Sequence, residues 1–223
     1  MSTASKFTRD GVRDYEKRRY RGLDQRIVHA REMRLLKKAF GRIDREREAD
    51  TAGHAWGEER RVLDLPCGYG RFASFLAGRA MSVFNSDLSL EMVRRAGEAS
   101  GAPGAVANAV AGLPFREGSF ETVFSIRFFH HLHDPAARAA VLSEFSRVAT
   151  GWAVVSFYRL SGLHAAQRRL RRKFGKSRTN IKMIEPGQFE KEAEAAGFEI
   201  AAIRPLFRGV HAYHLALLKK KPG

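Results

Sequence analysis

The stretch VLDLPCGYGRF, residues 62–72, decides the fold. A short apolar run ends in Asp64, and the turn after it carries Gly68 and Gly70 on either side of Tyr69. An apolar run bounded by turn residues predicts a buried strand. Glycines at 68 and 70 let the backbone turn tightly and come close to a ligand that a Cβ would obstruct. RFASFLAGRA (71–80) predicts a helix directly after the turn. GYGRFA also satisfies the dinucleotide pattern, with Ala73 in third place, and a ligand-free turn between strand and helix has the same local sequence. Asp64 can accept a hydrogen bond from a cationic ammonium group.

The same alternation continues along the chain. MSVFNSD (81–87) predicts a second strand, and its last residue, Asp87, can take both hydroxyls of a ribose. LSLEMVRRAGEAS (88–100) predicts a helix and GAVANAV (104–110) a third strand; LPFREGSF (113–120) is a loop and ETVFSIRFF (121–129) a fourth strand. DPAARAAVLSEFSRVAT (134–150) predicts a helix capped by Asp134, with Pro135 in its first turn. GWAVVSFY (151–158) is a fifth strand, EPGQFEKEAEAAG (185–197) a helix, and FEIAAIRPLF (198–207) and HAYHLALLKKK (211–221) are two final strands. Strands alternating with helices predict a doubly wound, mainly parallel seven-stranded α/β sheet of Rossmann-like type.

Residues 1–60 differ in texture. They are charge-dense, and Leu23, Ile27, Val28, Leu35, Leu36, Ala39, Phe40 and Ile43 recur at helical spacing, which predicts one or two amphipathic helices. The domain organisation is therefore an N-terminal helical cap, 1–60, and an α/β domain, 61–223, with a basic helical insert at 159–182 after strand five.

Composition excludes several classes. The single cysteine, Cys67, rules out an intrachain disulfide, and no Cys/His cluster has zinc-ligand spacing, so no metal is expected. The first residues lack an apolar signal region, and no apolar run approaches the roughly 20 residues that span a bilayer. A cytoplasmic location follows, with peripheral association at the inner membrane surface as a further expectation. The formal net charge of +16 points to an anionic partner or to solubility alone.

As a set, VLDLPCGYGRF, SDLSLEMVRRA, LPFREGSFETVFSIRFFHHLHD and LSEFSRV resemble the class I S-adenosylmethionine-dependent methyltransferases, in particular their small-molecule and lipid branch. The resemblance runs from about Arg61 to Tyr158. It implies a Rossmann-like fold whose last strand is antiparallel, with S-adenosylmethionine as cofactor. It places Asp64, Gly68 and Gly70, within a turn completed by Pro66, Cys67 and Arg71, around the methionine portion. Asp87 would bind the ribose and Leu88 would lie against the adenine. Asn108 and Ala109 sit where the family often has an acid near the adenine amine, and the Asn108 amide oxygen is expected to accept from it. Arg127 and Phe128 would face the cofactor or acceptor. Pro66 replaces the first glycine of the usual turn, and Glu121, where the family usually has Asp, is expected to do little beyond capping strand four.

The implied reaction is methyl transfer to oxygen or nitrogen of a small-molecule or lipid-like acceptor, with an RNA acceptor as the alternative. A nicotinamide-dependent oxidoreductase and a non-catalytic cofactor-binding protein remain as rivals. His130, His131 and His133 follow strand four; His130 and His131 are candidate general bases, or they pack behind the strand. Cys67, with no partner base, is expected to pack. Tyr15 and Tyr20 either fold over the cofactor or anchor the N-terminal helix. Residues 159–182, including Arg168 and Arg172, have no acid and form an amphipathic pattern with Leu163, Leu170 and Phe174. Such a segment fits an anionic membrane surface, RNA phosphates or a solvated lid over the acceptor pocket.

Overall fold

The computed structural model describes residues 23–49, 59–79, 81–160, 183–207 and 212–222. Five helices and seven strands follow in order: α1 (Leu23–Ala49), β1 (Arg61–Asp64), α2 (Ala73–Ala77), β2 (Ser82–Asp87), α3 (Leu90–Ser100), β3 (Gly104–Val106), β4 (Phe120–Ser125), α4 (Pro135–Val148), β5 (Ala149–Tyr158), α5 (Gln188–Ala195), β6 (Phe198–Pro205) and β7 (Tyr213–Lys220). The sheet order is β3-β2-β1-β4-β5-β7-β6. The first five strands pair in parallel, and β7 runs antiparallel to both β5 and β6.

Both faces of the sheet are buried, so side chains alternate between two cores. Val62, Phe124, Trp152, Val154, Leu215 and Leu217 pack on one face with α1 and α2. Their neighbours Leu63, Val123, Ala153, Val155, Ala216 and Leu218 pack on the other with α4 and α5. α1 is one continuous helix whose Leu35, Leu36, Ala39, Phe40 and Ile43 are buried along the sheet. α4 begins as its sequence dictates: the Asp134 side chain accepts from the Ala136 N–H and Pro135 occupies the first turn.

Several elements are shorter than the sequence suggests. α2 covers only 73–77, because the glycine turn retains residues up to Phe72. β3 stops at Val106, where the chain turns back on itself through an Asn108–Gly112 bridge. β4 ends at Ser125, and Phe129–His131 form a 3-10 turn rather than the end of the strand. Glu121 does more than cap a strand. It is buried and receives Arg47 of α1 and, at 3.5 Å, Arg60, which also reaches Asp44 at 2.8 Å. These pairs fasten the carboxyl end of α1 to the amino ends of β1 and β4.

Candidate functional site

The carboxyl ends of β1, β2 and β4 meet where strand order reverses between β1 and β4, the place where open α/β sheets bind ligands. The turn after β1 is zipped onto β2: Cys67 N–H donates to the Ser86 carbonyl at 2.9 Å and Gly68 N–H to Asp87 Oδ2 at 3.1 Å. The Ser89 N–H donates to Asp87 Oδ1 at 3.0 Å, so one carboxylate ties the glycine turn to the start of α3. The Leu65–Pro66 peptide is cis, and Gly68 and Gly70 have φ of 54° and 79°. The two glycines serve different needs. A Cβ on Gly68 would meet nothing within 4 Å. A Cβ on Gly70 would lie 2.8 Å from the Ala99 Cβ and 3.0 Å from the Ala96 Cα, so Gly70 is needed for close contact with α3.

Asp64 is 2% exposed, and among the described residues no donor reaches its carboxylate. Burial, and then the nearby Asp87, push its pKa well up from the usual carboxylate range. Asp87 is also raised by burial, against the opposing pull of its backbone donors. A buried carboxylate beside a second one, with no cation from the described residues on it, is costly unless a cationic group arrives. Cys67 lies in a small cluster with Val93 and Ala96, and burial with the two aspartates drives its thiol pKa far up. It packs and holds its proton; it has no nucleophilic character.

Leu88 follows Asp87 and is 52% exposed, an apolar side chain at the strand end. Asn108 is exposed, and its Oδ1 accepts from the Val110 N–H at 3.1 Å, closing a local turn. Ala109 is buried in the core.

The resemblance places Arg71 in the turn around the cofactor and Arg127 toward the cofactor or acceptor. Both are drawn to Glu32 of α1, which is 1% exposed. Arg71 Nη2 lies 2.6 Å from Glu32 Oε2, Arg127 Nε lies 3.2 Å from Oε1, and Tyr213 Oη donates to Oε1 at 2.6 Å. Arg71 also donates to His29 Nδ1 at 2.7 Å, and burial plus that guanidinium lower the His29 pKa. Arg127 has φ of 63°, unusual for a residue other than glycine, and its N–H donates to Ser156 Oγ at 2.6 Å. The hub joins α1, the glycine turn, the end of β4 and β7. None of Glu32, His29 or Tyr213 stands out by motif. The available signal is phase: Glu32 falls on the same helical stripe as Val28, Leu35, Leu36 and Ala39.

Phe128 is half-buried against Phe129. His130 is buried, with its ring centroid 3.9 Å from that of the exposed His131 and 5.3 Å from that of Tyr158 at the end of β5. His133 is exposed. Tyr15, Tyr20, Arg168 and Arg172 lie outside the described residues, as does the insert from residue 161 to 182. Among the described residues, no group of three His, Cys, Asp or Glu side chains is placed to hold a metal ion.

The methyltransferase domain family matches residues 63–154, the span from β1 to β5 that contains this whole strand-end cluster. Over that span the chain carries a methyltransferase domain. A candidate methyltransferase of Encephalitozoon cuniculi (strain GB-M1) is 32% identical over 138 residues, 57% of this chain. The chain spans 59% of the length of that relative. Among solved structures, the magnesium protoporphyrin IX methyltransferase of Synechocystis PCC 6803 with bound SAH superposes with a TM-score of 0.73 at 15% identity, over 98% of each chain. An S-adenosylmethionine-dependent methyltransferase of Methanosarcina mazei gives 0.62 at 20% identity, over 78% of this chain and 98% of that one. The antiparallel β7, placed between β5 and β6, departs from the 3-2-1-4-5-6 order of dinucleotide dehydrogenases.

Proposed function

We propose that the protein binds S-adenosylmethionine at the ends of β1, β2 and β4 and transfers its methyl group to an oxygen or nitrogen of a small-molecule or lipid-like acceptor. The observation that carries this reading is Asp64: a buried carboxylate that no donor among the described residues reaches, beside a glycine turn and a second aspartate. A ligand bearing an ammonium group satisfies it. Asp87 keeps its two backbone donors and offers its remaining lone pairs to ribose hydroxyls, and the exposed Leu88 offers an apolar surface to a purine.

When bound, the cofactor supplies a methyl already activated on a sulfonium. The chain's own work is then to position and to exclude water. The hub around Glu32 holds the glycine turn and the end of β4 in fixed relation. His131, exposed and with its ring against that of the buried His130, would take a proton from an acceptor hydroxyl. Among the described residues no helix is long and apolar enough to cross a membrane. Action at an anionic membrane surface, through the basic segment 159–182, is part of the same proposal.

The test is calorimetric titration with S-adenosylhomocysteine and, in parallel, NADH. Wild type should bind the former and not the latter, and Asp64→Asn should lose about tenfold or more in affinity, as a lost charge-assisted contact requires. Equal affinity of wild type and Asp64→Asn would remove Asp64 from the site.

A further inference from the structure

On the α1 face of the sheet, away from the strand-end residues, lies a trough of about 450 Å³ between α1 and the β6–β7 ladder. Its floor includes Leu35, Ala39, Ala202, Leu215 and Leu217, and its walls carry Arg34, Lys37, Lys38, Arg42, Arg45 and Arg204. Among the described residues, no carboxylate lines it. Arg42 is committed to Glu46 at 2.8 Å and to the Ala201 carbonyl at 2.5 Å. Among the described residues, the other five cations have no acidic partner, and all five are exposed.

We propose that this trough binds an amphiphilic anion: a molecule with an apolar body and a phosphate or carboxylate head. A basic helix face by itself is ordinary solvated surface. Here, however, cations from two separate elements converge on one concavity, and the floor between them is apolar. The volume falls in the range of about 300–1,000 Å³ typical of small-molecule sites, which are likewise apolar with a few placed polar groups. Five like charges around one concavity repel one another, and an anion seated among them removes that repulsion. The chain's own basic segments, such as 159–182, have the wrong sign to fill it. A polynucleotide would satisfy the cations but has no need of the apolar floor.

The experiment uses the full chain and four probes: decyl phosphate, inorganic phosphate, phosphatidylglycerol vesicles and a single-stranded RNA dodecamer. The variants are Lys37→Gln/Lys38→Gln, which thins the charge, and Ala202→Phe, which fills the floor and leaves every charge in place. Ala202→Leu serves as a milder filler, and the affinity for S-adenosylhomocysteine together with the urea midpoint reports intact folding. Decyl phosphate should bind at least about tenfold more tightly than inorganic phosphate, as burial of its apolar chain requires. Both kinds of variant should weaken decyl phosphate by about tenfold while S-adenosylhomocysteine binds as before. Vesicle binding that falls with the same two variants would identify a bilayer headgroup as a source of the anion; vesicle binding indifferent to them leaves a free amphiphile as the source. The proposal is overturned if wild type does not bind decyl phosphate, if the floor fillers leave its affinity unchanged, or if RNA alone binds and responds only to the lysine variant. Failure of the cofactor reading leaves this result standing, because none of the trough's lining residues belongs to that site.

Discussion

Substituting Glu32 by Gln isolates the charge of the buried hub. The glutamate carboxylate is contacted by Arg71 at 2.6 Å, by Arg127 at 3.2 Å and 3.4 Å, and by Tyr213 Oη at 2.6 Å. Glutamine keeps the shape and one oxygen, but places an amide N–H₂ where a guanidinium now donates. Removing one partner from a buried ion pair costs about 3–5 kcal/mol, because the remaining charges stay buried. The arginine side chains retain 12% and 18% exposure, so they recover some hydration, and the lower end, about 3 kcal/mol, applies. For a domain of this size that corresponds to a fall in Tm of about 6–12 °C. Equilibrium urea unfolding, followed by far-UV circular dichroism, reads the loss directly. A cycle with Arg127→Met should show a coupling of about 1 kcal/mol or more between the two positions. A loss below about 1 kcal/mol in the single variant would mean that α1 is held by its apolar stripe alone.

Asp87→Ala should lose at least about tenfold in affinity for S-adenosylhomocysteine and also about 2 kcal/mol of apo stability, since its carboxylate carries two backbone N–H groups; a stable apo variant would show that those bonds contribute nothing. Gly70→Ala should cost about 3 kcal/mol or more by urea titration, combining an overpacked contact with α3 and a positive φ, whereas Gly68→Ala should cost only the backbone strain of about 1 kcal/mol; equal costs would contradict the assigned roles. Asp64 has a raised pKa, so the native apo state holds a proton that the unfolded chain releases. Apo stability should therefore fall as pH rises from about 4 through the raised value, and Asp64→Asn should flatten that slope in melts recorded across the window. His29 works in the opposite sense. Its lowered pKa means that stability is lost as pH falls below about 6.5, and His29→Gln should remove that component.

Much of the fold was legible in the chain before any coordinates. The run ending in Asp64, the two glycines and the alternation of apolar strands with helices are local patterns, and each reflects the burial of a face by its neighbours in sequence. The antiparallel last strand came from family resemblance, and the structure bears it out. The strand-end placement of Asp64, Asp87 and Leu88 followed from the same patterns, because the carboxyl ends of parallel strands share one edge of the sheet.

What only the tertiary structure decided is where the long polar side chains go. Arg71 and Arg127 sit beside the expected ligand in sequence, yet a carboxylate some forty to ninety-five residues away captures both. Glu121, at first a strand cap, anchors the end of α1, and Gly70 makes room for Ala96 and Ala99. A sequence displays charge and size at each position but not the partner that desolvation makes obligatory. Hydrophobic periodicity is a short-range record of one face, whereas a buried ion pair or a missing Cβ is settled only when two distant segments are brought to the same place.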